Sequence, residues 1–417
     1  MNSHRDVVVT GMGIISPIGL TRAEVLDSLL AGRSGIGLWE DAALAKKFAA
    51  GRIARSFAEE FPLRERPYLD RCSQMALLAA RQAIEEAGIG DFSAYGQRAG
   101  AYYGTVRGGL GTEAAWARQF YVDRRESARP YTIMAEMLNA GAAQISIHHQ
   151  IHGPVITHSA ACASSGAAIG DAFRSIRHGL IDVAVAGGAE ASLIPVYFGA
   201  WDGLRALAAP DPADAARSCK PFSTQRNGLV LAEGSVFFVL ESAEHARRRG
   251  ARAYCRLSGY GIAADAHHIG APSAKGQAAA MAAAIDDAGL RPSDIGYINA
   301  HATATPGGDP IEAAAIRQVF AAVTDDIPVS ATKSIHGHML GAASAMELAV
   351  CLLAIGESFL PATANLDEID PQCRLRHVAN RPLRDHRVDH ALSLSAGFGG
   401  TNVALLVSRP DAPRSRS

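Results

Sequence analysis

The chain has 417 residues, of which 48% are hydrophobic and 19% charged, with a formal net charge of −1. This length favours two domains or a fused double domain, and the balanced charge argues against bulk electrostatic binding of nucleic acid. We expect no signal peptide and no membrane span, because neither a leader-like apolar stretch nor a window of about 18 uncharged apolar residues is evident. Cysteines without any CxxC pair favour a reducing, cytoplasmic location over disulfides or a metal site.

Short apolar runs alternate with helical patterns along the chain. In the first half, strands are predicted over VVVTGMG, RAGAYYGTV and IDVAVAGGAE, and an amphipathic helix over SQMALLAARQAIEEAG. In the second half, AYCRLSGYGI, IGYINAHAT and DHALSLSAG read as strands, and KGQAAAMAAAIDDAG and residues 341–355 read as helices. The alternation predicts mixed, largely parallel sheets covered by helices.

An internal repeat relates the two halves. Three pairs of segments match in the same order: residues 10–14 with 258–262, residues 83–89 with 284–290, and the stretch at Val155 with the stretch at Val329. The offset shrinks along the chain, so the first half should carry the insertions. We predict two similar α/β halves, residues 1–252 and 253–417, which form one rigid unit with small-residue helices in its middle layer.

A cysteine stands at a predicted strand-to-helix turn. The strand runs to Ala160 or Ala161, the chain turns at Cys162, and an apolar helix follows. The free N–H donors and positive dipole end of that helix would lower the thiol pKa and favour a nucleophilic thiolate. From this segment alone, an inert core cysteine is also open.

Three further segments carry side chains of catalytic types. They contain His301 after an apolar strand, the trio Lys333, His336 and His338 before a helix that includes Glu347, and Phe398 in a glycine-rich turn. Such a turn can present N–H groups as an oxyanion hole. Taken singly, each segment has a structural alternative: a histidine bonded within a turn, a surface loop, or a simple hairpin.

Taken in order, these segments resemble the β-ketoacyl-acyl-carrier-protein synthases, and most closely the type II elongating enzymes. The motifs are Cys162 in its turn, then NAHATATP, KSIHGH and GFGGTN, and the resemblance covers nearly the whole chain. Starter-type relatives pair cysteine with His and Asn, and thiolases use a second cysteine near the C-terminus, so neither fits as well. The family has the thiolase fold, which implies duplicated α/β halves in a five-layer α-β-α-β-α arrangement and agrees with the repeat.

The resemblance implies a decarboxylative condensation. An acyl group would pass from an acyl carrier protein to Cys162, and the enolate formed from malonyl carrier protein would attack that thioester to give a 3-oxoacyl product two carbons longer. The implied roles are enolate stabilisation by His301 and His338, support by Lys333 and Glu347, substrate binding by Thr303 and Thr305, an oxyanion hole of the Cys162 and Phe398 N–H groups, and gating by the Phe398 side chain. No metal or organic cofactor is expected, because phosphopantetheine arrives on the carrier protein.

Partner surfaces are also implied. Basic clusters would steer an acidic carrier protein; they comprise Arg64, Arg66, Arg71, Arg124, Arg125 and Arg129. Ordinary solvated charge explains any one of them equally well. The family is homodimeric, and a homodimer is therefore expected.

Several positions depart from the usual family pattern. They are Ala302, Ala304, His336, Asn227 and Ala232. None removes a catalytic group, but together they leave open a specialised polyketide or modified-lipid synthase that works with a partner subunit. A non-catalytic scaffold of the same fold is the alternative from another class of protein, and the intact cysteine and histidines argue against it.

Overall fold

The computed structural model of the chain describes residues 4–413. Its helices in this range are α1 (Arg22–Ala31), α2 (Arg71–Ala87), α3 (Leu110–Tyr121), α4 (Thr132–Glu136), α5 (Ala140–His149), α6 (Ser164–Arg177), α7 (Pro195–Gly203), α8 (Ala243–Arg248), α9 (Ala274–Asp287), α10 (Gly308–Phe320), α11 (Lys333–His336) and α12 (Ala343–Glu357). Its strands are β1 (Val7–Ile15), β2 (Ile36–Trp39), β3 (Phe48–Gly51), β4 (Ala99–Gly104), β5 (Val155–His158), β6 (Val183–Glu190), β7 (Leu231–Ala232), β8 (Gly234–Ser242), β9 (Cys255–Ala264), β10 (Tyr297–Asn299), β11 (Pro328–Ser330), β12 (Arg376–His377), β13 (His390–Ala396) and β14 (Thr401–Ser408).

The main sheet has two copies of one strand pattern. From its outer edge to its centre the first half runs β5-β4-β6-β8-β1, and the second half runs β11-β10-β13-β14-β9 with β12 added outside. In both halves the three outer strands are parallel and the two inner strands are antiparallel to their neighbours. The halves join where β1 pairs with β9. All three sequence matches fall on equivalent elements, which confirms the duplicated fold.

Helices form three layers around these strands. α2 packs on the outer face of the first half and α9 on the outer face of the second. α6 and α12 contact each other and strands of both halves, so they form the middle layer, and nearly all of their residues are buried. The five-layer arrangement is therefore confirmed, and the segments before α6 and α12 meet at the centre of the molecule. The boundary at residues 252 and 253 stays a prediction.

The glycines of the repeat let the outer helices approach the sheet. A Cβ at Gly11 would come within 2.0 Å of the Ala83 carbonyl oxygen, and a Cβ at the equivalent Gly259 within 2.1 Å of the Ala284 carbonyl oxygen. Ala83 and Ala284 are themselves equivalent in the repeat. The same close contact between helix and strand is thus made twice.

The middle helix is the most apolar segment found among the described residues. Leu340–Glu357 is long and apolar enough to span a membrane, with a mean hydropathy of 1.6, although it contains Glu347 and Glu357 and so is not an uncharged window. The segment is 89% buried and lies between the two halves of the main sheet, as expected for a core helix. Its apolarity therefore follows from its place in the fold.

We expect Gly261→Ala to destabilise the protein by about 1–3 kcal/mol, because overpacked cores lose free energy of this size. An added Cβ would lie 2.0 Å from the Ala280 carbonyl oxygen. Gly356→Ala is the matched control: its Cβ would meet nothing within 4 Å, and alanine should stabilise that helical position by up to about 1 kcal/mol. Urea unfolding of both variants measures the change, and equal stability of the Gly261 variant and the natural chain would contradict the prediction.

Candidate active site

A cleft of about 560 Å³ opens where loops of the two halves meet. Its lining includes Cys162, His301, His338, Thr303, Thr305 and Phe398. Lys333 and Glu347 lie beneath the histidines and are fully buried. The fold thus brings the sequence-predicted cysteine, histidines, threonines and phenylalanine to one place.

The cysteine sits at a strained turn before the middle helix. Ala161 has φ 50°, a left-handed conformation that is uncommon for alanine, and α6 begins two residues after Cys162. The Phe398 N–H lowers the pKa of the Cys162 thiol, and the Ser344 hydroxyl of α12 donates to the Cys162 carbonyl at 3.1 Å. Both central helices and the β13–β14 turn therefore fix the position of the thiol.

His338 makes the direct contact with the cysteine. Its Nε2 lies 2.9 Å from Sγ of Cys162. The backbone around it is held by the β7 segment, because the His338 N–H donates to the Val230 carbonyl at 2.7 Å and the Ala232 N–H donates to the His338 carbonyl at 2.9 Å. These bonds hold the imidazole beside the thiol.

His301 is held from two sides. The backbone N–H groups of His301 and Ala302 each donate to one carboxylate oxygen of Glu312, both at 2.7 Å. The Lys333 ammonium lies 3.2 Å from Nδ1 and donates to the His301 carbonyl at 2.5 Å. Since the ammonium can only donate, Nδ1 accepts and the proton of the neutral ring is on Nε2.

A buried ion pair links these groups. The Lys333 ammonium donates to the Glu347 carboxylate, and neither side chain is exposed. Burial raises the pKa of Glu347 to about 7, and Lys333 acts in the opposite direction. Ser395 donates to the other carboxylate oxygen at 3.5 Å.

Burial and nearby charge keep both imidazoles neutral. Burial lowers the pKa of His301 and of His338 well below the usual value, and the Lys333 charge lowers both further. Neutral rings can present an N–H to a developing negative charge without a proton being lost first.

The cysteine differs from the sequence expectation. Burial raises the pKa of Cys162 to about 12, although the Lys333 charge and the Phe398 N–H lower it. The helix N-terminus therefore does not make this cysteine a resting thiolate, and the thiol is the resting form. Acyl transfer then requires a proton acceptor, and His338 is in hydrogen-bonding contact with Sγ.

The same atoms are a possible metal site. The ligand atoms of Cys162, His301 and His338 all lie within 4.8 Å of one another, and a thiolate with two imidazoles suits a soft divalent cation. The adjacent positive charge of Lys333 opposes the binding of a metal cation by these three side chains.

Two predicted candidates have structural roles outside the cleft. The Arg71 guanidinium binds Glu233 at 2.7 and 2.9 Å and two backbone carbonyls, so it is not free to dock a partner. His336 is fully buried, and its ring nitrogens contact the Gly337 carbonyl at 2.7 Å and the Thr332 hydroxyl at 3.1 Å. Both residues stabilise loops that support the site.

The other predicted docking arginines do not line the cleft. The rings of Tyr68 and Tyr131 lie 4.1 Å apart at an angle of 34°, and this contact brings the segments of Arg66 and Arg129 together. Arg205, which sequence reasoning missed, is exposed and lines the cleft. A lone arginine in an alanine-rich loop gave no signal in the sequence.

Two buried carboxylates were also missed. Glu312 holds the His301 backbone, and Glu190 accepts N–H bonds from Val106 at 2.8 Å, Arg107 at 3.1 Å and Gly341 at 3.2 Å. Burial raises the pKa of Glu190 to about 7, and these three bonds and a fourth from the Ser192 hydroxyl lower the pKa. Acidic residues at a strand end and inside a helix look like surface charges until the fold is known.

Comparison with known proteins agrees with this geometry. Models of the Beta-ketoacyl synthase N-terminal and C-terminal domains match residues 4–246 and 254–367. Nodulation protein E of Rhizobium meliloti (strain 1021) is 38% identical over 96% of this chain and 98% of that protein. The 3-oxoacyl-[acyl-carrier-protein] synthase 2 of Coxiella burnetii (strain RSA 493 / Nine Mile phase I) is 35% identical over 97% of this chain and 99% of that protein. The solved ishigamide ketosynthase/chain length factor has a TM-score of 0.89 at 32% identity and covers 97% of this chain and 99% of that chain.

The thiolase-like fold with a cysteine and two histidines at its centre defines an acyl-condensing transferase. This chain belongs to the beta-ketoacyl synthase family. Its similarity to 3-oxoacyl-[acyl-carrier-protein] synthase 2 over almost the full length of both chains makes it a ketosynthase of the synthase 2 type. The resemblance predicted from four sequence motifs is therefore confirmed.

We expect alkylation of Cys162 by iodoacetamide to rise about tenfold per pH unit between pH 7 and 10, without a plateau, because only the thiolate reacts and a pKa near 12 keeps it scarce. Peptide mass spectrometry of the Cys162 peptide gives the rate at each pH. Cys162→Ala serves as the control for labelling elsewhere. A plateau near neutral pH would show that the helix N-terminus governs the thiol after all.

Proposed function

We propose that this chain is a 3-oxoacyl-[acyl-carrier-protein] synthase that extends a Cys162-bound acyl group by two carbons with malonyl carrier protein. The observation that carries the proposal is the contact of Sγ with His338 at 2.9 Å, beside a neutral His301 held by Lys333. No other set of groups lining the described cleft combines a nucleophile with two neutral donors.

Acyl transfer comes first. Sγ attacks the thioester carbonyl of the carrier-bound acyl group, and its proton passes to Nε2 of His338. The N–H groups of Cys162 and Phe398 stabilise the tetrahedral oxyanion, which is supported by the effect of the Phe398 N–H on the thiol pKa. The C–S bond to phosphopantetheine breaks, and the leaving sulfur takes the proton from His338.

Condensation follows on the acylated enzyme. The malonyl thioester loses CO2, and the electron pair of the broken C–C bond forms an enolate whose oxygen accepts from Nε2–H of His301. His338 donates to the same oxygen after its neutral ring has exchanged the proton from Nδ1 to Nε2 through solvent, since the acylated Sγ no longer offers a proton to Nε2. The enolate carbon attacks the Cys162 thioester carbonyl. Collapse releases the 3-oxoacyl product and a Cys162 thiolate, which regains a proton.

The remaining candidate residues serve binding and access in this proposal. Thr303 and Thr305 face the cleft with hydroxyls 3.2 Å apart and would bind the phosphopantetheine arm. Phe398 is 44% exposed at the cleft and would gate the second substrate. The carrier protein delivers the arm, so we propose that no metal or organic cofactor is required.

For the pathway, we propose fatty-acid synthesis as the first candidate, supported by the likeness to synthase 2. A specialised polyketide or modified-lipid role with a partner subunit is the second candidate. It is favoured by the likeness to nodulation protein E and to a ketosynthase solved with a chain length factor. A cytoplasmic location fits both.

The carrier protein would dock near the cleft through exposed arginines. Arg205 lies at the cleft itself, and Arg64, Arg66, Arg124, Arg125 and Arg129 supply further positive charge. An acidic carrier would be steered by these charges in a salt-dependent way.

The edge strand β5 supports a homodimer. It ends the main sheet, and Val155 and Ile156 are 40% and 38% exposed on it. Exposed apolar side chains continue on nearby helices; they include Phe120, Tyr121, Ile133, Met134 and Ile147. An unpaired apolar edge of this kind is normally covered, and a second copy would pair with it.

We expect the two histidines to separate acyl transfer from condensation. His338→Ala should slow both steps, whereas His301→Ala should keep acyl transfer and lose condensation by about 10²–10³-fold, the usual effect of removing an oxyanion donor. Intact mass after incubation with acyl carrier protein reports the first step, and release of CO2 from malonyl carrier protein reports the second. Cys162→Ala should form no adduct. Absence of any adduct on the natural chain, over a panel of acyl lengths, would favour the scaffold alternative.

We expect Val155→Lys to convert a dimer to a monomer, because two lysines facing each other across a paired β5 edge would repel. Size-exclusion chromatography with light scattering gives the mass. Val196→Lys is the matched control, since Val196 is 65% exposed on α7 and lies outside that edge. A natural chain that is monomeric at all concentrations would contradict the proposal.

A further inference from the structure

Aromatic residues concentrate around the nucleophile. Only 6% of the chain is aromatic. The apolar cluster that contains Cys162 nevertheless includes Trp39, Phe48, Phe198 and Trp201. Two of the three tryptophans therefore lie in this one cluster.

Part of this cluster forms a continuous row. Phe398 and Trp201 stack with ring centroids 5.7 Å apart and an interplanar angle of 28°. Trp201 meets Tyr197 edge-on at 6.0 Å, and the Arg107 guanidinium lies 5.9 Å from the Tyr197 ring centroid. Since Trp201 and Phe398 line the cleft together with Cys162, the row is a wall beside the reacting sulfur.

The α7 part of the wall, Tyr197 and Trp201, is held in place before any substrate binds, whereas the exposed Phe398 side chain serves as the gate. Tyr197 and Trp201 lie four residues apart on α7, so both project from one face of that helix. Trp201 is 8% exposed, and the Phe398 turn is tied down by the bond from the Gly399 N–H to the Ile269 carbonyl at 2.8 Å. At the end of the row opposite Phe398, the backbone N–H of Arg107 donates to the Glu190 carboxylate at 3.1 Å, which fixes the Arg107 backbone.

The two sides of the cleft therefore differ in chemistry. His301, His338 and the threonine pair make one side polar, and the reaction and the phosphopantetheine arm occupy it in the proposed mechanism. The aromatic wall remains for the acyl chain attached to Sγ. Aromatic faces bind flat π systems by offset stacking or edge contacts, beyond the area that they bury. A conjugated chain also loses little rotational freedom on binding, whereas a saturated chain loses much more.

We infer that the acyl group carried by Cys162 is planar and conjugated, a polyene or aryl-terminated chain, and that Trp201 determines this specificity. The inference rests on the proposed acyl transfer to Cys162 and names its substrate class. Phe398 adds a second face at the cleft end of the row, and Tyr197 fixes the Trp201 ring from behind.

A competition experiment tests the inference. The protein is mixed with equal amounts of hexanoyl and (2E,4E)-hexadienoyl carrier protein, and mass spectrometry of the Cys162 peptide gives the ratio of the two adducts. We expect the dienoyl adduct to exceed the saturated one by about fivefold or more, as one or two aromatic contacts would give. The variants are Trp201→Leu, which removes the aromatic face, and Trp201→Phe, which keeps one.

The outcomes separate the inference from the proposed function. Trp201→Leu should bring the ratio to within about twofold of unity, and Trp201→Phe should keep most of the preference. Tyr95→Leu is the control, because Tyr95 contacts Phe92 and His245 in another cluster and should leave the ratio unchanged. An equal or reversed ratio in the natural chain overturns the inference while acyl transfer stands, and a preference that survives in Trp201→Leu overturns the role of Trp201. No adduct with either chain overturns the proposed function itself.

Discussion

The Lys333 ammonium is the charge on which the site depends. It is completely buried, and it contacts the Glu347 carboxylate, the His301 carbonyl and His301 Nδ1. A buried ammonium needs such partners, because an unpaired charge in the interior is strongly destabilising. In return it sets the tautomer of His301, adds to the effect of burial in keeping both imidazoles neutral, and lowers the pKa of Cys162 against the larger effect of burial. Burial and this one buried charge therefore act together on the cysteine and both histidines.

The duplicated fold explains why this lysine and the cysteine meet. Cys162 precedes α6, and Lys333 and His338 precede α12, which is the equivalent helix of the second half. Because α6 and α12 lie side by side between the two halves of the main sheet, the turns before them converge. The first half supplies Cys162 and the aromatic residues of α7, and the second half supplies the histidines, the lysine and the Phe398 turn. In the proposed function, the two similar halves therefore contribute different groups to one reaction.

The sequence predicted the fold and the residues that gather at the cleft, because both leave a pattern along the chain. Repeated segments marked equivalent strands and helices, and four ordered motifs marked the cleft. Glu312 and Glu190 left no such pattern, since a carboxylate that binds backbone N–H groups across the fold resembles a surface charge in sequence. The bond between Arg71 and Glu233 was not visible in the sequence either, because the two residues lie 162 positions apart. The thiol pKa was also misjudged, because a helix terminus is visible in sequence whereas the depth of burial is not.

The resting thiol has a consequence for the order of events. A buried cysteine with a raised pKa reacts slowly with small electrophiles, so the free site is protected while it waits for a carrier. In the proposed reaction, the proton leaves only when an acyl carbonyl reaches the N–H groups of Cys162 and Phe398, because only then does the developing charge have a partner. His338 would hold that proton only briefly, since burial and Lys333 both disfavour its charged form. The proposal therefore requires the proton to go on to the departing sulfur, which would couple thiol ionisation to departure of the first carrier and leave His338 neutral for the second.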